Sequence, residues 1–233
     1  TLSHFVPEYE ILPGVRYGRS DELLSPAYWV LRCETAQPHE RNFLNCVGTL
    51  EEEVGFCLLG GYGVTAELAT AFFNRLKEEG AFVPSIHVNR SDIFRILSER
   101  LSVGGKMRKY RFPNQRSDRL SKAMQYLAHV PPATTDALGF RQYLQEIEGI
   151  GPKTASWITR NWLGSDEVAI LDIHLLRAGQ FINLFDKVVQ LPRDYRHVEE
   201  TFLDFAARIH VQPSILDAVI WSDMRKFGSR LIR

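Results

Sequence analysis

From Gly48 onward, apolar residues recur every three to four positions, the spacing that lays one stripe along a helix. The stretch LEEEVGFCLL is predicted to form a helix capped by Thr49, its glutamates set at the positive end. Gly60, Gly61 and Gly63 interrupt that pattern around Tyr62. Further helices are expected over residues 65–79, 92–100, 117–129, 134–147, 152–162, 172–182 and 193–209, and from Pro213 through LDAVIWSDMRKF. No alternating pattern after Cys33 reads as a strand. The first 47 residues differ: proline, glycine, tyrosine and polar residues run to Pro26, and AYWVLRC (27–33) predicts a short strand or extended segment. QPHERN (37–42) predicts a loop. The chain is therefore expected to be mainly α, with an irregular extension over 1–47 and a helical domain over 48–233.

Composition narrows the chemistry only a little. Hydrophobic residues make up 45% and charged residues 24%, ordinary for a globular chain. Lysine plus arginine equals aspartate plus glutamate at 28 each, so global charge selects no polyanionic partner. One local run departs from that balance: KMRKYRFPNQRSDRLSK (106–122) sets seven lysines or arginines against one aspartate, with Tyr110 and Phe112 interleaved. A solvated basic face and a phosphate-neutralising or base-wedging surface both account for it. Cys33, Cys46 and Cys57 are odd in number and lack C-x-x-C spacing, which argues against a disulfide framework, structural zinc and a four-thiolate cluster, and for a reduced intracellular location. No apolar run reaches the ~18 residues of a membrane span. The chain begins at Thr1, so a short leader or initiating methionine is expected to precede it.

The most specific stretch starts at the EGIG turn, residues 148–151. Alternating glycines permit a sharp turn, and a helix opening at once behind it presents free N–H groups suited to phosphate oxygens. Lys153 is the second residue of that helix, where the backbone field disfavours a cation by roughly 0.3–1 kcal/mol. Nineteen residues later, after a GSDE turn and the apolar run VAIL, Asp172 stands where it caps the next helix, a role worth about 1 kcal/mol. His174 follows two residues on. Taken singly, the turn also fits a plain helix–helix corner, Lys153 a solvated lysine and His174 a core or surface histidine.

Together, GIGPKTASWITRNWLGSDEVAILDIHLLR (149–177) resembles the helix-hairpin-helix plus Gly/Pro…Asp signature of the HhH-GPD DNA glycosylase superfamily. The lysine, the Asp-x-His and their spacing are closest to the short archaeal-type class of 8-oxoguanine DNA glycosylase/AP lyases. LEEEVGFCLLGGYGVTAE, KYRFPNQRSDRL and LDAVIW are similar to that class too, so the resemblance spans about 50–221. It implies two helical subdomains, about 65–145 and 48–64 plus 146–233, with an active-site cleft between them. It also implies a bifunctional enzyme that excises an oxidised purine, 8-oxoguanine first, through a lysine Schiff base and then cleaves the strand by β-elimination.

Lys153 would be the nucleophile; the positive helix end and partial burial both disfavour its ammonium form. Asp172 would stabilise the oxocarbenium character of the sugar. His174 and the amides of Gly149 and Gly151 would hold phosphates, with a monovalent cation at the 148–151 backbone, and Arg108, Arg111 and Arg116 would supply positive charge. Because the base must leave the duplex, Tyr62, Trp157, Trp221 and Phe227 stand as stacking or wedge candidates; GGYG departs from the asparagine usual in that class near Tyr62. The resemblance implies no cofactor, no catalytic metal, a monomer, double-stranded DNA with a damaged base as partner, no membrane, and a cytoplasmic or nucleoid location. Excision of a different modified base and a non-catalytic helix-hairpin-helix binding module are the alternatives.

Overall fold

The computed structural model describes residues 5–37, 48–61, 63–83, 89–132 and 136–227. Among them stand ten helices and two antiparallel two-stranded sheets, a mainly α-helical fold. Contacts divide the chain into two compact units, one combining residues 1–45 with 159–233, the other spanning 46–158.

The first unit begins with strands β1 (Glu10–Leu12) and β2 (Val15–Arg16) and helix α1 (Pro26–Glu34). Residues 27–33, expected to be extended, are helical. Ser25 accepts a hydrogen bond from the Tyr28 amide at 3.0 Å, and Pro26 occupies a favoured first helical position. The run then buries Pro26, Trp29, Val30 and Cys33, a helical spacing that a short apolar run does not by itself separate from a strand. Helices α8 (Ile173–Phe181), α9 (Tyr195–Arg208) and α10 (Pro213–Phe227) complete the unit. Its core joins Ile11, Leu24 and Trp29 to Phe202, Phe205 and Val219, so the extension is structural, not appended. Arg32 closes a fork on Asp223 of α10 (Nε–Oδ2 2.6 Å, Nη2–Oδ1 3.0 Å), and the Tyr28 hydroxyl donates to the same carboxylate at 2.9 Å. Burial pushes the Asp223 carboxyl up, but these donors and the Arg32 charge outweigh it and hold the group below its ordinary range.

The second unit contains α2 (Leu50–Leu59), α3 (Ala66–Glu78), α4 (Arg90–Leu97), strands β3 (Arg100–Val103) and β4 (Lys106–Lys109), α5 (Pro113–His129) and α6 (Ala137–Gln145). Thr49 caps α2 as the sequence predicts, and Thr65, expected as the first residue of the next helix, is the cap of α3. The helix expected over 92–100 ends at Leu97, and that over 117–129 starts earlier, at Pro113. Between them the β3–β4 hairpin overturns the expectation of no strand beyond Cys33. Its turn is Gly104–Gly105, with φ of 58° and 74°, the double left-handed geometry of a tight hairpin. Charged residues rather than alternating apolar ones fill β4, which erased the period-two signal. Tyr110, just beyond, is buried and donates to the Leu59 carbonyl at 2.6 Å, which makes it a core residue and not a wedge. Helix α7 (Pro152–Leu163) starts in this unit and continues into residues assigned to the other. Tyr62, the loop beyond Gln37 and the start of the helix expected over 134–147 lie outside the described residues.

Candidate active site

In the second unit, Ile147 and Ile150 are buried and pin the turn, with the Ile150 amide donating to the Ile147 carbonyl at 3.0 Å. Gly149 between them has φ 92°, where a side chain is strained. The Arg119 side chain also fills that space, its Cδ 2.5 Å from where a Cβ would stand. Gly151 is the contrary case: it is exposed, and nothing lies within 4 Å of a Cβ there. Its carbonyl accepts from the Ala155 amide at 2.9 Å and so opens α7. The first-turn N–H groups of α7 have no intrahelical acceptor, and Pro152 has none to offer. Lys153 follows, half-buried, in a first turn without any acidic residue. On the turn's other side, Glu148 is tied by Lys122 Nζ at 2.7 Å.

Three predicted residues gather around the glycine-rich loop after α2. Trp157, one turn past Lys153, meets Phe56 edge-on at 6.0 Å, and its ring atoms stand 3.1 Å from where a Gly60 side chain would begin. Arg116 donates to the Gly60 carbonyl at 3.2 Å. The Arg111 guanidinium lies over Gly63 and 5.1 Å from the Phe112 ring centroid. Arg108 stands apart, exposed on β4.

In the first unit, Asp172 caps α8. Its Oδ1 accepts from the amides of His174 (2.8 Å) and Leu175 (2.9 Å), while Oδ2 takes no hydrogen bond from any described residue. The carboxylate is half-buried, so one oxygen is structural and the other is available. The preceding residues Val168–Leu171 are wholly buried yet belong to no helix or sheet, which leaves their peptide groups in need of partners. Side chains supply them. Glu199 of α9 accepts from the Ala169 amide at 2.9 Å, and the Tyr195 hydroxyl donates to the Ala169 carbonyl at 2.6 Å. Asp217 of α10 accepts from the Ile170 amide at 3.1 Å, and the Ile170 carbonyl accepts from the Asp172 amide at 2.8 Å. Asp217 is in turn paired with Arg160 of α7 at 3.0 Å, and Arg160 also donates to Asn161. Burial pushes the Asp217 carboxyl up to about 6 against the opposing Arg160 charge, and the nearby Asp172 carboxylate adds to the rise.

Tyr195, Glu199, Asp217 and Arg160 therefore set the position of Asp172, and sequence reasoning did not single them out. The available signal was an acid inside an apolar run, as in LDAVIW, because a buried carboxylate demands a partner. His174 itself is half-buried in the first turn of α8. Trp221 is half-buried with Arg225 5.2 Å from its ring centroid, and Phe227 packs against the apolar core of its unit. Among the described residues, no three His, Cys, Asp or Glu side chains gather as a metal-binding set.

Comparison with known proteins bears on both units. The family model described as 8-oxoguanine DNA glycosylase (Ogg-HhH) matches residues 45–211. The chain is 31% identical to the 8-oxoguanine DNA glycosylase/AP lyase of Thermoplasma acidophilum over 74% of its own length and 78% of that protein's. Among solved structures it is similar to the 8-oxoguanine DNA glycosylase of Thermotoga maritima, at 25% identity and a TM-score of 0.61, covering 87% of this chain and 96% of that one. It also shares the fold of the Methanocaldococcus jannaschii 8-oxoguanine glycosylase/lyase, solved with a 15mer DNA containing 8-oxoguanine, at 23% identity and a TM-score of 0.59, covering 86% of this chain and 87% of that one.

Proposed function

The chain belongs to the 8-oxoguanine DNA glycosylase family of the helix-hairpin-helix superfamily, and from that premise we propose that it excises an oxidised purine, 8-oxoguanine, from duplex DNA and cleaves the strand. The nucleophile is Lys153. Its neutral amine forms a bond to the sugar C1′ as the bond from C1′ to the base breaks; the nitrogen, now cationic, gives up a proton and the departing base gains one. Opening of the sugar and loss of an amine proton give an imine. Loss of a C2′ proton then expels the 3′ phosphate, and water releases the enzyme. Asp172 stabilises the positive charge that develops on the sugar as the base departs.

The observation that carries this role is the division of labour within the Asp172 carboxylate: both cap hydrogen bonds fall on Oδ1, and Oδ2 is left unengaged among the described residues. A residue serving only as a cap has no need of buried partners that fix the segment before it. In the same scheme the open Gly151 backbone and the first turn of α7 receive a phosphate, His174 a second, and Arg111, Arg116 and Trp157 act around the Gly60–Gly63 loop on the strand that carries the lesion.

Borohydride trapping on duplexes that carry 8-oxoguanine, an abasic site or no lesion tests this. A covalent adduct with the 8-oxoguanine duplex that disappears in Lys153→Gln supports it. An adduct with the abasic duplex alone retains the lyase and refutes the base; binding without any adduct refutes the enzyme.

A further inference from the structure

Along most of the chain, arginines and lysines pair with carboxylates, as Arg75 does with Glu79 and Glu99, and Arg196 with Glu200. From Arg100 to Arg119 that pattern stops. Arg100, Lys106, Arg108 and Lys109 on the hairpin form no ion pair with any described residue, and neither do Arg111, Arg116 and Arg119 beyond it. The only carboxylate in that stretch, Asp118, turns instead to Arg90 (3.6 Å) and Lys122 (3.1 Å).

The hairpin carries the cost of this arrangement openly. Arg100 stands directly opposite Lys109 in the register, a like-charge cross-strand pair that destabilises a sheet. Both of its strands are edges, and charge on an edge deters unwanted pairing; alternating signs would deter it equally without the repulsion. A single sign, on a chain of zero net charge, calls for an anionic partner. Exposed Arg100, Lys106, Arg108 and Lys109 are free to meet one, and the tip at Gly104–Gly105 has no side chain and nothing within 4 Å of where one would stand.

We propose that the β3–β4 hairpin is a phosphate-backbone clamp for duplex DNA, gripping the helix independently of its sequence. The choice of DNA as the polyanion rests on the function proposed above; the need for a polyanion rests on the hairpin itself. Each neutralised phosphate contributes about 0.9 to the slope of log binding constant against log salt.

The test is binding of a short undamaged duplex, by fluorescence anisotropy over a series of salt concentrations. Combining Arg100→Gln, Lys106→Gln and Lys109→Gln should make the slope shallower by up to about 2.7. A control with the same charge removed elsewhere, Arg16→Gln, Lys187→Gln and Arg196→Gln, should keep the parent slope. Equal slopes in the two triple variants overturn the clamp, and so does a triple variant that loses single-stranded RNA binding but keeps its duplex slope. Thermal melting of the free triple variant should not fall, because a repulsive pair has been removed; if it falls, Arg100→Gln alone carries the test, with a slope change of about 0.9 expected and no change refuting the proposal. An adduct at the lesion with an unchanged slope refutes the clamp alone. No adduct with a reduced slope in the hairpin variant refutes the chemistry and leaves the clamp standing.

Discussion

Two irregular segments deliver the two residues to which the chemistry is assigned, and they are built in opposite ways. The turn before Lys153 is on the surface: Glu148, Gly149 and Gly151 are exposed, and the helix behind it opens with unpaired N–H groups. The segment before Asp172 is buried, and side chains of Tyr195, Glu199 and Asp217 answer its peptide groups. An exposed turn leaves its backbone to whatever ligand arrives. A buried one must be satisfied from within, at the cost of carboxylates held out of water. The contrast teaches that the first segment leaves its backbone open to solvent and the second is fixed from within.

Mutation can break this contrast, beginning with the largest effect. Lys153→Gln should abolish the borohydride-trapped adduct altogether while leaving the melting temperature near that of the parent, since the side chain has no ion pair with any described residue. Asp217→Leu should destabilise its unit by about 3–5 kcal/mol in urea unfolding, because Arg160 is left buried without its partner and the Ile170 amide without its acceptor. A cost near zero would refute the holding role.

Asp217→Asn sharpens the same point through pH. The folded carboxyl holds its proton up to about 6, whereas the unfolded group releases it near 3.8. In that window the native state binds more protons, so this group lowers stability progressively as pH rises through it; the cost is absent below the window and complete above it. The stability of the parent relative to the Asn variant should therefore fall between these pH values, and a rise would show the sign to be wrong. Asp172→Asn should fold normally, since asparagine also caps, yet excise about 10²–10³-fold more slowly in single-turnover assays. The smallest effects separate the two glycines of the turn. Gly149→Ala should cost about 1–2 kcal/mol for its left-handed backbone alone, with the Arg119 contact adding to that, whereas Gly151→Ala should be close to neutral in denaturant melts.

Most helices were legible from periodicity and caps: Thr49, Thr65, Asp172 and Pro213 each mark a boundary where the structure has one. The failures share a cause. Residues 27–33 were misread because a short apolar run has no period of its own, and packing on the rest of the first unit decided for helix. The hairpin was missed because β3 alternates over only four residues and the cations of β4 leave no alternation there, although the Gly-Gly pair at 104–105 was the visible cue.

By itself the sequence determined the helical character, the turn ahead of Lys153 and the cap at Asp172, because spacing, glycines and capping residues act on near neighbours in the chain. Only the tertiary structure decided which side chains satisfy the buried run before Asp172, and that the extension through α1 completes a core. The partners of that buried run come from positions 24 to 47 residues away, and no local rule couples a peptide group to a side chain at that separation.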